Sequence, residues 1–357
     1  MGRSDVTKQG LVNVRPEREA LIGAGPRNGS RPKRRRPAES VVPEPEFHSY
    51  YGLPVLNKPT WEARDIAGYL FLGGLAGSSS VLAGAAQLTG RPALARPLKL
   101  GAAGAIGLSL VALVHDLGRP ARFYNMLRVF KPSSPMSMGT WILSVYSPAA
   151  FAAAGLELLG SALPAPLRWV LPKTAAHRLS VASTLVAAAT GPAVTTYTAA
   201  LVADTAVPAW HGGYREMPFL FAGSACSAGA GLGLLAAPVA QAGPARRLGP
   251  VAALVELAAG RWMRARMGLA SEAYEEGRAG KLMKAAEAAT AAGAIGALAG
   301  RRNRLVSAAS GALLLAGSAL TRFGIFHAGV QSAEDPKYTV QPQRERLERE
   351  GPIRDGS

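Results

Sequence analysis

The sequence predicts an all-α, polytopic membrane protein, and three observations carry that reading. Ile66–Leu88, Leu179–Ala203 and Met217–Ala245 each run more than twenty residues without a charge, whereas about twenty apolar residues cross a hydrocarbon core. None of them alternates polar and apolar positions as the strands of a membrane barrel do. Lipid offers backbone N–H and C=O groups no partner, so each segment has to close its hydrogen bonds internally as a helix.

Five shorter windows extend the series to eight expected spans. Leu98–His115 follows the first run, Met136–Leu158 precedes the Leu179 run, and Leu248–Gly260, Ala285–Gly300 and Leu305–Phe326 follow the Met217 run. The Leu248 and Ala285 windows are short and Ala-rich, and Glu256 interrupts the first of them. The polar residues between windows are the loops. Residues 1–58, rich in Arg, Pro, Gly and Glu, and residues 334–357, charged and without apolar period, read as disordered tails around a membrane domain spanning 59–333. The first apolar run lies far from Met1, so Ile66–Leu88 is expected to act as an uncleaved insertion signal.

The net charge of +17 does not point to nucleic acid. Much of it sits in the basic run Arg31–Arg36 and in loops, and no nucleic-acid-binding motif accompanies it. Anionic lipid headgroups are the partner that such charges suit. Lys and Arg fall on both sides of the spans: Arg91, Arg96 and Lys99 lie after the first window, and Arg301, Arg302 and Arg304 after the seventh. The basic residues near the first span place the N-terminus in the cytoplasm, and an even number of spans returns the C-terminus to the same side.

Parity then gathers the polar residues on one face. Odd spans leave the N-terminal face and even spans return to it. Trp61, Arg64 and Asp65 open the first span, His115, Asp116, Arg119 and Arg122 close the second, Tyr197 and Asp204 lie near the end of the fourth, and Arg322 and His327 near the end of the eighth. Tyr197 stands seven residues before Asp204, roughly 10 Å below that end at about 1.5 Å per residue. That depth suits a ring entering from the acyl layer, and it equally suits an interfacial aromatic anchor, as do the positions of Trp61 and Trp210. The His115-Asp116 pair offers an imidazole that titrates near neutrality beside a carboxylate. A quinone, which exchanges two electrons and two protons, needs such groups around its carbonyl oxygens; a solvated helix end would use them equally well.

Other chemistries lack their residues. Cys226 is the only cysteine, so this chain cannot ligate an iron–sulfur cluster by itself. His115, His211 and His327 fall at one face and His177 toward the other, which does not suit a haem held by two histidines within the bilayer. No phosphate-binding loop, metal-ligand spacing or nucleophile motif is present, and Gly73, Gly77, Gly101 and Gly104 read as helix-packing positions. Glu157 and Glu256 each sit in an apolar window, so they are neutral, paired or hydrated. Either belongs to a proton route or, for Glu157 above all, reaches the headgroups from a helix end.

The chain resembles a known family at His115-Asp116-Leu117-Gly118-Arg119-Pro120 with Arg122-Phe123, at Pro132-Ser133-Ser134-Pro135-Met136-Ser137-Met138-Gly139-Thr140-Trp141, at Tyr197-Thr198, and at Ala328-Gly329-Val330-Gln331-Ser332-Ala333-Glu334-Asp335-Pro336. These stretches are similar to the NrfD-like, polysulfide-reductase membrane-subunit family of quinol-interacting proteins. The resemblance implies eight helices in two four-helix bundles, no cofactor held by the chain itself, and a quinone or menaquinone pocket in the first bundle. It implies a ferredoxin-like iron–sulfur subunit docked over that pocket, at Arg119 and Arg122, and a molybdopterin catalytic subunit beyond it. Tyr197, His115, Asp116, Trp61 and Asp65 are the quinone-binding candidates. Where relatives carry an Asn or His at the start of the first helix, this chain has Trp61, Arg64 and Asp65. The rival class is a transporter or passive anchor, although the broken helices in paired positions that mark transporters are not seen.

Eight spans place both ends of the chain on one side. Reporters fused at Arg36 and Arg344 are expected to label the same compartment, and opposite labels would show that the Leu248 or Ala285 window does not cross.

Overall fold

The computed structural model describes residues 6, 7, 10, 11, 55–57, 59, 61–117, 119, 123–162 and 173–350. Residues 1–46 form a separate unit, in which Val6–Thr7 pairs antiparallel with Gly10–Leu11. The expected disorder of residues 1–58 otherwise lies outside the described residues.

Among its described residues the remaining unit contains eight helices of 20 residues or more: α1 Ala63–Leu88, α2 Pro92–Asp116, α3 Pro135–Ala162, α4 Lys173–Ala203, α5 Met217–Ala236, α6 Gly243–Met267, α7 Gly277–Ala299 and α8 Arg304–Glu334. Their ends follow local chemistry. Gly90 takes φ +67° just beyond α1, the left-handed position that favours glycine after a helix. Pro92 opens α2 from its first turn, where a missing N–H costs nothing. The Asn303 side chain accepts from the Leu305 and Val306 amides and so caps α8.

Six of the eight, all but α6 and α7, are long and apolar enough to cross a membrane. Helix α6 fails that standard because it carries Arg246, Arg247, Glu256, Arg261, Arg264 and Arg266, and α7 because it carries Arg278, Lys281, Lys284 and Glu287. The expected fifth span is corrected: Met217–Ala245 is not one helix. Pro238 forces Ala237 into extended backbone, α5 stops at Ala236, and Ala245 belongs to α6. The C-terminal segment is corrected as well. Lys337–Glu350 forms a helix, α9, held at its root by buried Tyr338 and by a Lys337–Glu272 ion pair of 2.9 Å. A sequence without apolar period gave no sign of it, because only the first turn is anchored.

Successive helices run antiparallel. Asp65 at the start of α1 meets His115 at the end of α2, and Gln87 at the end of α1 meets Lys99 near the start of α2. Helix α1 is the most enclosed span, and it packs on α2, α4, α5 and α8. Two crossings are close enough to require glycine. A Cβ on Gly77 would lie 2.6 Å from the Gly191 carbonyl oxygen, and one on Gly231 would lie 2.6 Å from that of Gly311, so α1 touches α4, and α5 touches α8, backbone to backbone.

Lys99 is not the loop cation that the sequence suggested. Helix α2 begins seven residues earlier, and the Lys99 side chain is 2% exposed. Its ammonium donates to Gln87 Oε1 on α1 at 2.7 Å, to Glu157 Oε2 on α3 at 2.9 Å and to Ser180 Oγ on α4 at 3.5 Å. Three donors are spent on three neighbouring helices. Glu157 is therefore the ion-pair partner of Lys99, with its side chain still 27% exposed. Removing one member of a buried pair leaves a bare charge and costs about 3–5 kcal/mol, whereas an apolar replacement of both is often neutral. Thermal unfolding in detergent is expected to show a large loss for Lys99→Met and recovery of most of it in Lys99→Met/Glu157→Leu; equal losses in both would remove the pair from the account.

Candidate functional site

The site is built at the N-terminal face, where α1 begins and α2 and α4 end. Asp65 sits in the first turn of α1 with its neighbours closing over it, and it is 9% exposed. Its carboxylate accepts from Nδ1 of His115 at 2.7 Å, and the His115 side chain is 73% exposed. The pair thus spans from protein interior to surrounding medium. Asp116, the next residue of α2, turns the other way into a cavity.

That cavity has a volume of about 90 Å³. Asp116, Trp61, Tyr69, Tyr197, Thr140 and Leu143 contribute to its wall, and so do Met126 from the short helix Phe123–Met126 and Met136 from the start of α3. Three of the five sequence candidates, Tyr197, Asp116 and Trp61, therefore share one space, and the other two form the ion pair beside it. The volume is below the roughly 150 Å³ of an apolar cavity that accepts a benzene ring. Met126 and Met136, unbranched and easily repacked, are the lining groups able to yield.

The Tyr197 and Tyr69 hydroxyls are hydrogen-bonded to each other, which joins α4 to α1 at the cavity wall. Tyr69 was not singled out from the sequence, although it stands four residues after Asp65 and so on the same side of α1. On its other side the Tyr197 ring lies against Gly139, with no room there for a methyl group. Trp61 stacks on Trp210 with centroids 5.6 Å apart and planes at 24°. Trp210 is not an interfacial anchor: it is 1% exposed and its Nε1 donates to the Ile325 carbonyl at 2.8 Å.

Other candidates lie elsewhere. Arg119 is exposed at the same face, and Arg122 lies outside the described residues. Arg322 does not end α8 but stands twelve residues before Glu334, fully buried, with Nη2 donating to the Phe221 carbonyl at 2.8 Å and its guanidinium over the Phe221 ring at 3.7 Å. Glu256, 3% exposed, accepts from Thr321 Oγ1 at 2.8 Å. It borders a cavity of about 10 Å³ that the Arg264–Glu287 ion pair also lines. Glu157 and Glu256 thus belong to separate clusters. At the face itself Arg266 holds Glu216 at 2.7 Å, and this hydrogen-bonded cation keeps the Glu216 carboxyl below its ordinary range.

Six helices long and apolar enough to cross a membrane, with a tyrosine- and carboxylate-lined cavity under one face, define a class: integral membrane proteins. Within that class the chain belongs to the polysulphide reductase NrfD family, whose model matches residues 57–266; the family comprises membrane subunits of polysulphide-reductase-type oxidoreductases. No curated protein matches the chain. The matched stretch runs from the residues just before α1 to the last turn of α6, so every residue named in the cavity wall lies within it.

Gly139 offers a test of the cavity that removes no functional group. Gly139→Ala places a methyl group against the Tyr197 ring, and overpacking of this kind costs about 1–3 kcal/mol. A lowered melting temperature is expected, together with a changed Tyr197 environment in tyrosine difference absorbance; an unchanged spectrum would mean that the ring is not held against α3.

Proposed function

We propose that this chain is the quinone-interacting subunit of a membrane oxidoreductase, with eight spans in two four-helix bundles and the quinone head group held in the cavity beside Tyr197. The observation that carries the reading is the convergence of Tyr197, Asp116 and Trp61 on one cavity, with Asp65 and His115 paired beside it. Membership of the NrfD family supports it.

In this reading the Tyr197 hydroxyl, positioned by Tyr69, donates to or accepts from one carbonyl oxygen of the ring. Asp116, in the same cavity wall, serves the proton balance. The Asp65–His115 pair connects the interior with the medium: Asp65 fixes the imidazole tautomer, and the exposed His115 ring exchanges protons near neutral pH. Trp61 closes the cavity with an apolar wall, backed by Trp210. The electrons come from or go to a ferredoxin-like iron–sulfur subunit seated on the same face over Arg119, with a molybdopterin subunit beyond it. Both termini lie on the cytoplasmic side.

Tyr197→Phe keeps the ring and removes one hydroxyl. Quinone-linked turnover of the assembled complex is expected to fall by about 10²-fold or more, the scale of a lost acid–base group, while the subunits still co-purify. Turnover at the wild-type level would return Tyr197 to the role of an interfacial aromatic.

A further inference from the structure

Charge is balanced at the cavity face and unbalanced at the opposite one. At the cavity face His115 pairs with Asp65, Arg266 with Glu216 and Lys337 with Glu272. Among the described residues of the opposite face, Arg91, Arg96, Arg178, Arg247, Arg301 and Arg302 have no carboxylate partner, and the one carboxylate there, Glu157, is held by Lys99. Like charges gathered without a counter-charge repel one another.

Four arginines of this face come to one level where α6 begins and α7 ends. A Cβ on Gly249 of α6 would lie 4.0 Å from the Cβ of Ala297 on α7 and 3.1 Å from Cδ1 of Leu314 on α8, so the three helices meet there. Arg246 and Arg247 precede Gly249 by three and two residues, and Arg301 and Arg302 follow Ala297 by four and five. Because α6 and α7 run in opposite directions, all four leave the contact toward the same face, within about one and a half turns. The neighbouring Arg304 is already spent: its guanidinium donates to the Leu234 carbonyl at 2.9 Å and to that of Leu235, at the negative end of α5. Arg246 is spent only in part. Its Nη2 donates to the Val239 carbonyl at 2.9 Å, while its buried Nε has no hydrogen-bond partner among the described residues. Arg247, Arg301 and Arg302 are exposed.

Below the arginines the surface is aliphatic. Val251 and Leu254 follow Arg247 by four and seven residues on α6, and Leu298 and Ile295 precede Arg302 by four and seven at the end of α7, the spacings that keep side chains on one side of a helix. All four are at least 59% exposed. An acidic protein would engage the arginines and leave these stripes uncovered. An anionic phospholipid engages both, its phosphate at the rim, where the guanidinium fork matches two oxygens at a time, and its acyl chains below.

We propose that Arg246, Arg247, Arg301 and Arg302 bind the phosphate of an anionic phospholipid whose acyl chains lie along Val251 and Leu254 and along Ile295 and Leu298. The site rests on the eight-span reading, which sets these ends of α6 and α7 at the bilayer surface, and not on the quinone reading of the cavity. The phosphate supplies the missing counter-charge and ties together the two helices whose own composition suits a membrane least.

The test is native mass spectrometry of the full chain in detergent, titrated with dioleoylphosphatidylglycerol, with dioleoylphosphatidylcholine, which has the same tails and no net charge, and with inorganic phosphate. The wild type is expected to bind phosphatidylglycerol at least about tenfold more tightly than phosphatidylcholine. Arg247→Gln/Arg301→Gln/Arg302→Gln removes exposed side chains only, and it is expected to lower phosphatidylglycerol affinity by about fivefold per arginine while phosphatidylcholine binding stays as it was; Arg278→Gln/Lys281→Gln, at the other end of α7, is expected to change neither. Equal binding of the two lipids, or full phosphatidylglycerol affinity in the triple variant, would overturn the site and leave the span count and the cavity untouched. Phosphate binding as tight as that of phosphatidylglycerol would make it a free-anion site and overturn the lipid. Labelling of Arg302→Cys by an impermeant maleimide from the same side as a reporter at Arg344 would remove the crossing of α7, and the site with it.

Discussion

A charged group in hydrocarbon must spend every donor it has, and the Lys99 ammonium does so on three different helices. Its contacts to Gln87, Glu157 and Ser180 fix where α1, α3 and α4 stand relative to α2 at the face away from the cavity. Apolar packing inside lipid sets no such register, since one leucine surface is as acceptable to a tail as to another helix. The polar contact sets it. At the other end the Asp65–His115 and Tyr69–Tyr197 pairs repeat the device between α1 and α2 and between α1 and α4. The cavity lies at this second set of ties, with Tyr69 and Tyr197 in its wall.

Much of this was legible in the amino-acid order, for reasons that differ by element. The spans were readable where charge is absent, as in α1, α4 and α5, because the hydrocarbon core imposes a minimum apolar length. The boundary between α5 and α6 was not, since Pro238 lies in a run of small residues that hydropathy alone cannot divide. Tyr197, Asp116 and Trp61 were found by counting residues from helix ends, a rule that holds when successive helices alternate in direction. Tyr69 and Lys99 were missed. Each derives its meaning from a partner far along the chain, 128 residues away for Tyr69 and 58 for Lys99, and no local pattern reports such a pairing. Arg322 was misplaced because α8 continues well past its apolar stretch.

The two halves of the helical unit use charge differently. Around the cavity, ionisable groups are few, and Asp65 with His115 forms the ion pair there. In α6 and α7 they are many, and the ion pair Arg264–Glu287 and the contact of Glu256 with Thr321 cross between helices. Arg322 is buried with the Phe221 carbonyl and ring as its contacts, and intramembrane charges of this kind need such partners. Those helices read as weak spans from composition because they carry many charged residues, of which Arg247, Arg261, Arg266, Arg278, Lys281 and Lys284 are exposed.

The glycine contacts at Gly77–Gly191 and Gly231–Gly311 bear on how the cavity exchanges its contents. Backbones in direct contact have no side chains to slide over, so α1 with α4, and α5 with α8, behave as rigid paired rods. The compliance of the cavity is then left to α2 and α3, whose apolar stretches are much less enclosed than that of α1, and to the two methionines at its edge. That wall faces lipid. On the proposed quinone reading, the rate at which the head group enters or leaves is then set partly by the membrane: stiffer, more ordered acyl chains press on the side of the cavity that can give way, and the bilayer acts as a spring on the door.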